Sequence, residues 1–397
     1  MQARELSVLY AVLFLTIAGF GIVFPLLPQF VLELGAGSLH MALLASTYAL
    51  MQFLLAPFWG KVSDRIGRKP VLVLGLLGLA LSFVLMGLAR NIWAAILART
   101  FGGVLAAATM PTAQAYVGDA TTPAQRGRAM AHMGAATGLG FMVGPMLGGL
   151  LAVVGVRTAF FATGGVSLFT AALTALSLRE PAAPSRQRAA RPMTSLGAMR
   201  YAVASPHSVL FWLAFVVTFS QSQMFSMLGL YLAERFGDHG LQTGAAFTIM
   251  GVVSAGIQGI LTGPLSERYG ESRLIVAGLA CGTVAFTAVS AAGSPALIFV
   301  AVAGAAAGVS LIRPTIASAV SRRAIHGQGV TMGLQSAFDS LGRVLGPLTA
   351  GAVYQALPRS PFIVALACYM AALLLSRPRL LALEHDAAGQ QAGATGS

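Results

Sequence analysis

The chain has 397 residues, of which 56% are hydrophobic and only 9% are charged, and its formal net charge at pH 7 is +13. Soluble globular domains carry about 25% charged residues, so this composition excludes a soluble fold and requires lipid around most side chains. The cations lie between long apolar runs, which argues against a nucleic-acid-binding protein.

Twelve apolar segments are each long enough to cross a bilayer, which takes about 20 helical residues. We place them at 7–32, 41–60, 71–89, 93–117, 128–153, 158–178, 208–232, 243–265, 274–292, 296–319, 329–356 and 361–377. The sequence therefore predicts an all-α membrane protein with twelve transmembrane helices.

The Lys and Arg residues sort by side of the membrane. With the N-terminus inside, 18 of the 25 fall on the inner side, four on the outer side and three within helices. This bias predicts that both termini are cytoplasmic. We expect a multi-pass protein of a bacterial inner (plasma) membrane.

A charged loop, Gly60–Pro70, follows the second segment, and a degraded copy begins 203 residues later at Gly263. Gly, Ser, an acid, Arg and Gly recur in both copies in the same order and spacing. Pro111 and Pro314 are also 203 residues apart. Because six helices return the chain to its starting side, these offsets predict a parallel repeat of two halves.

The repeat divides the chain into two pseudo-symmetric six-helix bundles, predicted at residues 1–178 and 207–379. Residues 179–206 contain four prolines and five arginines, which indicates a cytoplasmic linker. Residues 380–397 are rich in Ala, Gly and Gln, and we expect them to form a disordered cytoplasmic tail.

The charged loop matches the signature G-x-x-x-D-R-x-G-R-K at Gly60, Asp64, Arg65, Gly67, Arg68 and Lys69. In this loop, and over nearly its whole length, the chain resembles the major facilitator superfamily. Within that superfamily it resembles the twelve-helix drug:proton antiporters, which include tetracycline exporters. The resemblance implies the major facilitator fold and a conformational latch on the cytoplasmic side. In that latch Gly60 permits close approach of helix 11 and Asp64 faces the positive N-terminal end of that helix. Arg68 pairs with Asp119, and the alternative is a cationic loop that only sets topology.

The fifth segment resembles the G-x-x-x-G-P-x-x-G-G signature of antiporters in this superfamily. The matching residues are Gly140, Gly144, Pro145, Gly148 and Gly149, and Gly346 and Pro347 repeat Gly144 and Pro145 at an offset of 202. The resemblance favours export over uptake. Small residues at this spacing also indicate tight packing, with helix 8 as the expected partner, and packing alone is the alternative.

Arg99 lies in the fourth segment, where the family pattern is R-x-x-Q-G. This chain has Gly102 in place of the Gln, followed by Gly103. The resemblance implies that Arg99 assists proton transfer. The alternative is a side chain that extends to the outer interface.

Asp339, in the eleventh segment, is the only carboxylate near the middle of any predicted helix. Arg343 follows at i+4, and Arg313 lies on the tenth segment. An ionised group at this depth is costly and usually functional. We predict that Asp339 is the proton-coupling acid and that Arg343 or Arg313 is its partner. The alternative is a permanent Asp339–Arg343 ion pair that only orders the helix.

Neutral amides, aromatic rings and methionine at mid-membrane depth are candidates to line a substrate cavity between the halves. They are Phe20, Phe24, Tyr48, Gln52, Met110, Gln114, Gln221, Gln223, Phe225, Gln258 and Gln335. This set suits an amphipathic or aromatic ligand better than a sugar phosphate. For each residue, packing against a helix or against lipid is the alternative.

No Walker loop, no H-E-x-x-H and no ligand spacing among the six histidines occurs, so we expect no enzyme activity, no metal site and no cofactor. We predict a monomeric secondary active transporter, with a small-molecule substrate, protons and membrane lipid as its partners and no nucleic acid. It would export a small amphipathic drug-like or tetracycline-like molecule by alternating access, in exchange for protons. The alternatives are a symporter or facilitator that imports a small metabolite, and a membrane sensor or scaffold without transport.

Overall fold

The computed structural model describes residues 2–181, 208–322 and 328–395. Within these residues the chain is helical apart from short turns, and they contain no β-strand. Residues 182–206 of the predicted linker lie outside the described ranges.

Twelve long helices follow one another along the described chain. They are α1 (Gln2–Glu33), α2 (Ser38–Ile66), α3 (Arg68–Leu88), α4 (Ile92–Asp119), α5 (Pro123–Ala152), α6 (Val156–Ser177), α7 (Ser208–Phe236), α8 (Leu241–Tyr269), α9 (Glu271–Ala291), α10 (Pro295–Arg322), α11 (Gln328–Tyr354) and α12 (Ser360–Thr395). Two of them are irregular: α4 is interrupted after Ala106, and α8 contains a π-helical turn at Ile257–Leu261.

Eleven of these helices are long and apolar enough to cross a membrane. The one long helix outside this group is α11, which has 27 residues but is more polar, because it carries Gln335, Asp339 and Arg343. The predicted fold class, an all-α membrane protein of twelve transmembrane helices, is confirmed. We call the two sides of the membrane inner and outer according to the orientation predicted from the cations.

The last helix differs from the expectation for the C-terminus. We expected a disordered tail from residue 380, but α12 continues to Thr395. Residues 380–395 contain five Ala, three Leu and two Gln, which are strong helix formers, so backbone propensity accounts for the longer helix.

Contacts divide the described chain into two compact units. The first contains α1–α6 with residues 225–251 and 347–358, and the second contains residues 208–224, 252–346 and α12. The first unit therefore includes segments of α7, α8 and α11 besides the six N-terminal helices. The division into two six-helix bundles at the linker stays a prediction.

Each unit contains a matching helix contact that is built on glycines. In the first unit, a Cβ added to Gly140 of α5 would lie 2.6 Å from the carbonyl oxygen of Phe14 in α1. In the second unit, a Cβ added to Gly342 of α11 would lie 2.9 Å from the carbonyl oxygen of Phe215 in α7. The α1–α5 contact therefore recurs as α7–α11, at offsets of 201 and 202 residues.

Candidate functional site

The charged loop folds around the guanidinium of Arg68, at the inner ends of α2 and α3. Its Nη1 atom lies 2.5 Å from Asp64 and donates to the hydroxyl of Ser63 at 2.6 Å. Its Nε atom lies 2.8 Å from the carboxylate of Asp119 at the end of α4. Gly67 makes the turn between the helices with φ of 103°, a conformation that favours glycine.

Glu180 closes the same loop from the end of α6. Its carboxylate accepts hydrogen bonds from the backbone N–H groups of Arg68, at 2.5 Å, and Lys69, at 2.9 Å. N–H groups in the first turn of a helix such as α3 have no partner within the helix, and a carboxylate is favoured at that end. The sequence analysis missed Glu180, since only the position of the chain after α6 reveals this contact.

The expected contact between Arg68 and Asp119 is present, and Arg68 also pairs with Asp64 of the preceding helix. Asp64 and Arg68 are four residues apart, close enough for a local ion pair. A Cβ added to Gly60 would meet no described atom within 4 Å, and the expected approach of Gly60 and Asp64 to α11 stays a prediction. Arg65 is exposed. The latch function of these residues stays a prediction.

The second half carries the same ion pair with its charges exchanged. Glu271 of α9 and Arg322 of α10 form a salt bridge. These positions lie 203 residues after Arg68 and Asp119, so an Arg–Asp pair becomes a Glu–Arg pair.

The antiporter-like segment of α5 packs on two partners. Gly140, Gly144 and Gly148 face the backbone of α1, and Gly149 faces α8, where its added Cβ would lie 3.1 Å from the Cα of Gly244. Pro145 lies inside α5 and contacts Gly21 of α1. The sequence analysis expected α8 as the partner and did not foresee α1.

Asp339 lies half-buried in α11 and accepts a hydrogen bond of 2.6 Å from the hydroxyl of Thr218 in α7. No described Lys, Arg or His nitrogen lies within 4.0 Å of its carboxylate. Arg343 interacts electrostatically with both Asp339 and Arg313, which belong to the same unit, and its side chain is exposed. The alternative of a permanent Asp339–Arg343 ion pair is therefore not formed in this structure. No pattern in the sequence predicted Thr218 as the hydrogen-bond partner of Asp339.

Arg99 is buried in α4 and does not extend to the outer interface, so that alternative was wrong. Its guanidinium carbon lies 4.1 Å from the ring centroid of Tyr48 and 5.1 Å from that of Phe20. Gln52 donates a 3.2 Å hydrogen bond to the hydroxyl of Tyr48. Two of the predicted substrate residues, Phe20 and Tyr48, thus contact the cation, and a third, Gln52, holds the hydroxyl of Tyr48.

The remaining substrate candidates fall in different settings. In the first unit, Phe24 and Phe225 lie 5.6 Å apart between ring centroids, and Phe141 and Phe247, which the sequence analysis missed, join them. Met110 is half-buried and Gln114 is exposed. In the second unit, Gln221 is half-buried, Gln223 and Gln335 are buried, and Gln258 is exposed in the π-helical turn.

Comparisons with known proteins agree with this architecture. A family model described as Major Facilitator Superfamily matches residues 9–324 and 242–394. Multidrug resistance protein 2 of Bacillus subtilis (strain 168) is 30% identical over 369 residues, 92% of each chain. Tetracycline resistance protein, class C, of Escherichia coli is 28% identical over 363 residues, 89% of this chain and 90% of the relative.

A solved structure shows the same fold at low sequence identity. The crystal structure of the nucleoside transporter NupG has a TM-score of 0.79 at 13% identity, over 95% of this chain and 99% of that chain. The family match and the relatives indicate a transporter that moves a small molecule rather than an enzyme. The chain belongs to the Major Facilitator Superfamily, and its relatives include proteins named for multidrug resistance and tetracycline resistance.

Proposed function

We propose that this transporter exports a small amphipathic molecule, drug-like or tetracycline-like, by alternating access and in exchange for protons. It would act as a monomer in a bacterial plasma membrane, with both termini in the cytoplasm. The match of α5 to the antiporter signature supports export. The relatives named as resistance proteins support it as well.

The observation that carries the coupling is the setting of Asp339. Its partner is the hydroxyl of Thr218, and no described cation lies within ion-pair distance. A carboxylate without a permanent counter-ion gains a proton without first breaking an ion pair, which lowers the cost of neutralisation. A hydroxyl can donate to the carboxylate and accept from the protonated acid, so Thr218 serves both states.

In the proposed cycle, a proton from the outer side neutralises Asp339 and promotes release of the substrate outward. The return of the carrier then delivers the proton inward. The membrane potential contributes about 2.3 kcal/mol for each charge moved across 100 mV, which is enough to bias a carrier with two states. Arg68 and its carboxylates would hold the inner side closed while the outer side is open.

Everted vesicles with an imposed pH gradient test this proposal. We expect tetracycline or a related drug to discharge the gradient with the wild type. Asp339→Asn should abolish gradient-driven accumulation but still allow exchange of labelled for unlabelled substrate, because the carrier then moves without a titrating acid. Asp339→Glu should keep part of the coupling. Glu33→Gln, an exposed acid at the outer end of α1, is the control and should behave like the wild type.

The outcomes separate the alternatives. Unchanged accumulation by Asp339→Asn would remove this acid from the mechanism. Substrate movement in the same direction as protons would favour the importing symporter. An absence of both substrate and proton flux would favour the sensor or scaffold.

A further inference from the structure

A second buried charge takes no part in the proposed proton coupling. Arg99 is 3% exposed, and its Nε and Nη1 atoms have no hydrogen-bond partner among the described residues. No described Asp or Glu oxygen lies within 4.0 Å of its guanidinium. The site therefore holds a cation whose counter-ion is not among the described residues.

This cation is permanent, since an arginine does not lose its proton in proteins. An unpaired charge in an apolar interior is costly. The faces of Tyr48 and Phe20 compensate for part of that cost through cation–π attraction. The two unpartnered nitrogens still lack acceptors, so the site is suited to an anion that arrives from outside the protein.

Aromatic rings extend from Arg99 through the first unit. Phe20 stacks on Tyr48 at 5.4 Å, and Phe24 lies 5.2 Å from Phe20 between centroids. Phe225 and Phe247 continue the cluster and are stacked at 5.2 Å. The rings of Phe20, Phe24 and Phe225 are half-buried, so the cluster has accessible aromatic surface, and Phe20 joins it to the cation.

We propose that Arg99 and this aromatic cluster form a subsite for an aromatic carboxylate, whose carboxylate supplies the missing counter-charge. The planar guanidinium matches a carboxylate in shape and hydrogen-bonding geometry. The rings bind the aromatic body of the same molecule by stacking. This inference rests on the proposed transport function, and it gives Arg99 a role in substrate recognition in place of proton transfer.

Binding to the full-length protein in detergent tests the subsite with 2-naphthoate and its neutral isostere 2-naphthamide. We expect the wild type to bind 2-naphthoate about ten-fold more tightly or better, as for a charge-assisted hydrogen bond. Arg99→Gln should bind both probes equally, and Arg99→Lys should keep part of the preference. Arg90→Gln removes an exposed arginine just before α4 and should bind like the wild type.

Thermal unfolding provides a second readout. If Arg99 is an uncompensated charge, Arg99→Gln should unfold no earlier than the wild type, and 2-naphthoate should raise the Tm of the wild type alone. A lower Tm of Arg99→Gln, with no response of the wild type to 2-naphthoate, would show a purely structural arginine and overturn the proposal.

Three further results would overturn it: equal affinity of the wild type for the two probes, a preference that persists in Arg99→Gln, and chloride that competes as well as 2-naphthoate. The binding assay uses no proton gradient. Loss of proton-driven transport with an intact 2-naphthoate preference would refute the proposed function alone. A coupled exporter without that preference would refute this inference alone.

Discussion

The guanidinium of Arg68 is shared by two carboxylates whose environments differ. The side chain of Arg68 is 8% exposed, that of Asp119 is 16% exposed and that of Asp64 is 60% exposed. Water screens the pair with Asp64, which should contribute about 0–1 kcal/mol. The pair with Asp119 is better shielded, so Asp119 is the main counter-ion of a buried cation.

We predict that Asp119→Asn lowers the free energy of unfolding by about 1–3 kcal/mol, because a charged hydrogen bond to the buried guanidinium is weakened. Asp64→Asn should lower it by less than about 1 kcal/mol. Chemical denaturation of the purified protein in detergent measures both values. Equal losses for the two variants would show that exposure does not set the strength of these pairs.

At the residue scale, one contact between distant residues was expected from the family resemblance: Arg68 and Asp119 were expected to meet, and they do. Glu180 and Thr218 were not expected, because each makes its contact more than 100 residues away along the chain. Nothing in the sequence around an acid or a hydroxyl states which helix will lie opposite it.

At the scale of helices the duplicated contacts on α1 and α7 allow a matched test. Gly144 of α5 faces the carbonyl oxygen of Ala18, and a Cβ added to Gly346 of α11 would lie 2.7 Å from the carbonyl oxygen of Phe219. The obstructing atoms belong to the backbone, which cannot move aside as a flexible side chain can. Both glycines are therefore required by close approach of helices.

We predict that Gly144→Ala and Gly346→Ala each destabilise the protein by about 1–3 kcal/mol through overpacking. Gly138→Ala in α5 and Gly333→Ala in α11 are the controls, since an added Cβ meets no described atom within 4 Å at either position. Alanine also favours helices, so the controls should be as stable as the wild type or more so. Thermal unfolding measures all four variants, and a control that loses as much stability as its partner would contradict the close-approach explanation.

The sequence predicted helices and repeats more fully than it predicted their neighbours. Long apolar runs define the helices, and the offsets of 202 and 203 residues predicted a repeat without predicting which helices would contact each other. The exchange of charges between Arg68–Asp119 and Glu271–Arg322 shows why the second charged loop looked degraded. The second loop keeps the ion pair of the first loop but builds it from other residue types. A sequence signature, which lists residue types, does not detect a pair kept in this way.

At the scale of the molecule, the first unit gathers the outer ends of α7, α8 and α11 with the N-terminal helices. A Cβ added to Gly229 would lie 2.5 Å from the side chain of Pro28, and one added to Gly244 would lie 2.8 Å from the Cα of Gly149. The hydroxyl of Ser38 donates a 3.0 Å hydrogen bond to the carbonyl of Gly351. Sequence alone could not predict these contacts, since each joins residues that lie far apart along the chain.

In the proposed export cycle these outer contacts separate when substrate leaves outward, so a bulkier side chain placed between the helices should favour the open state. We predict that Gly244→Val does so, because its Cβ would meet backbone atoms of Gly149 and Pro145. Ser38→Cys, at a site 5% exposed here, reports the change through labelling of intact cells by a membrane-impermeant maleimide, after replacement of both native cysteines by alanine. Overpacking of about 1–3 kcal/mol should raise the labelling rate about ten-fold. Gly256→Val, on the same helix with no described atom within 4 Å of its Cβ, should leave the rate unchanged. Equal rates in both valine variants would show that this contact does not hold the outer side closed.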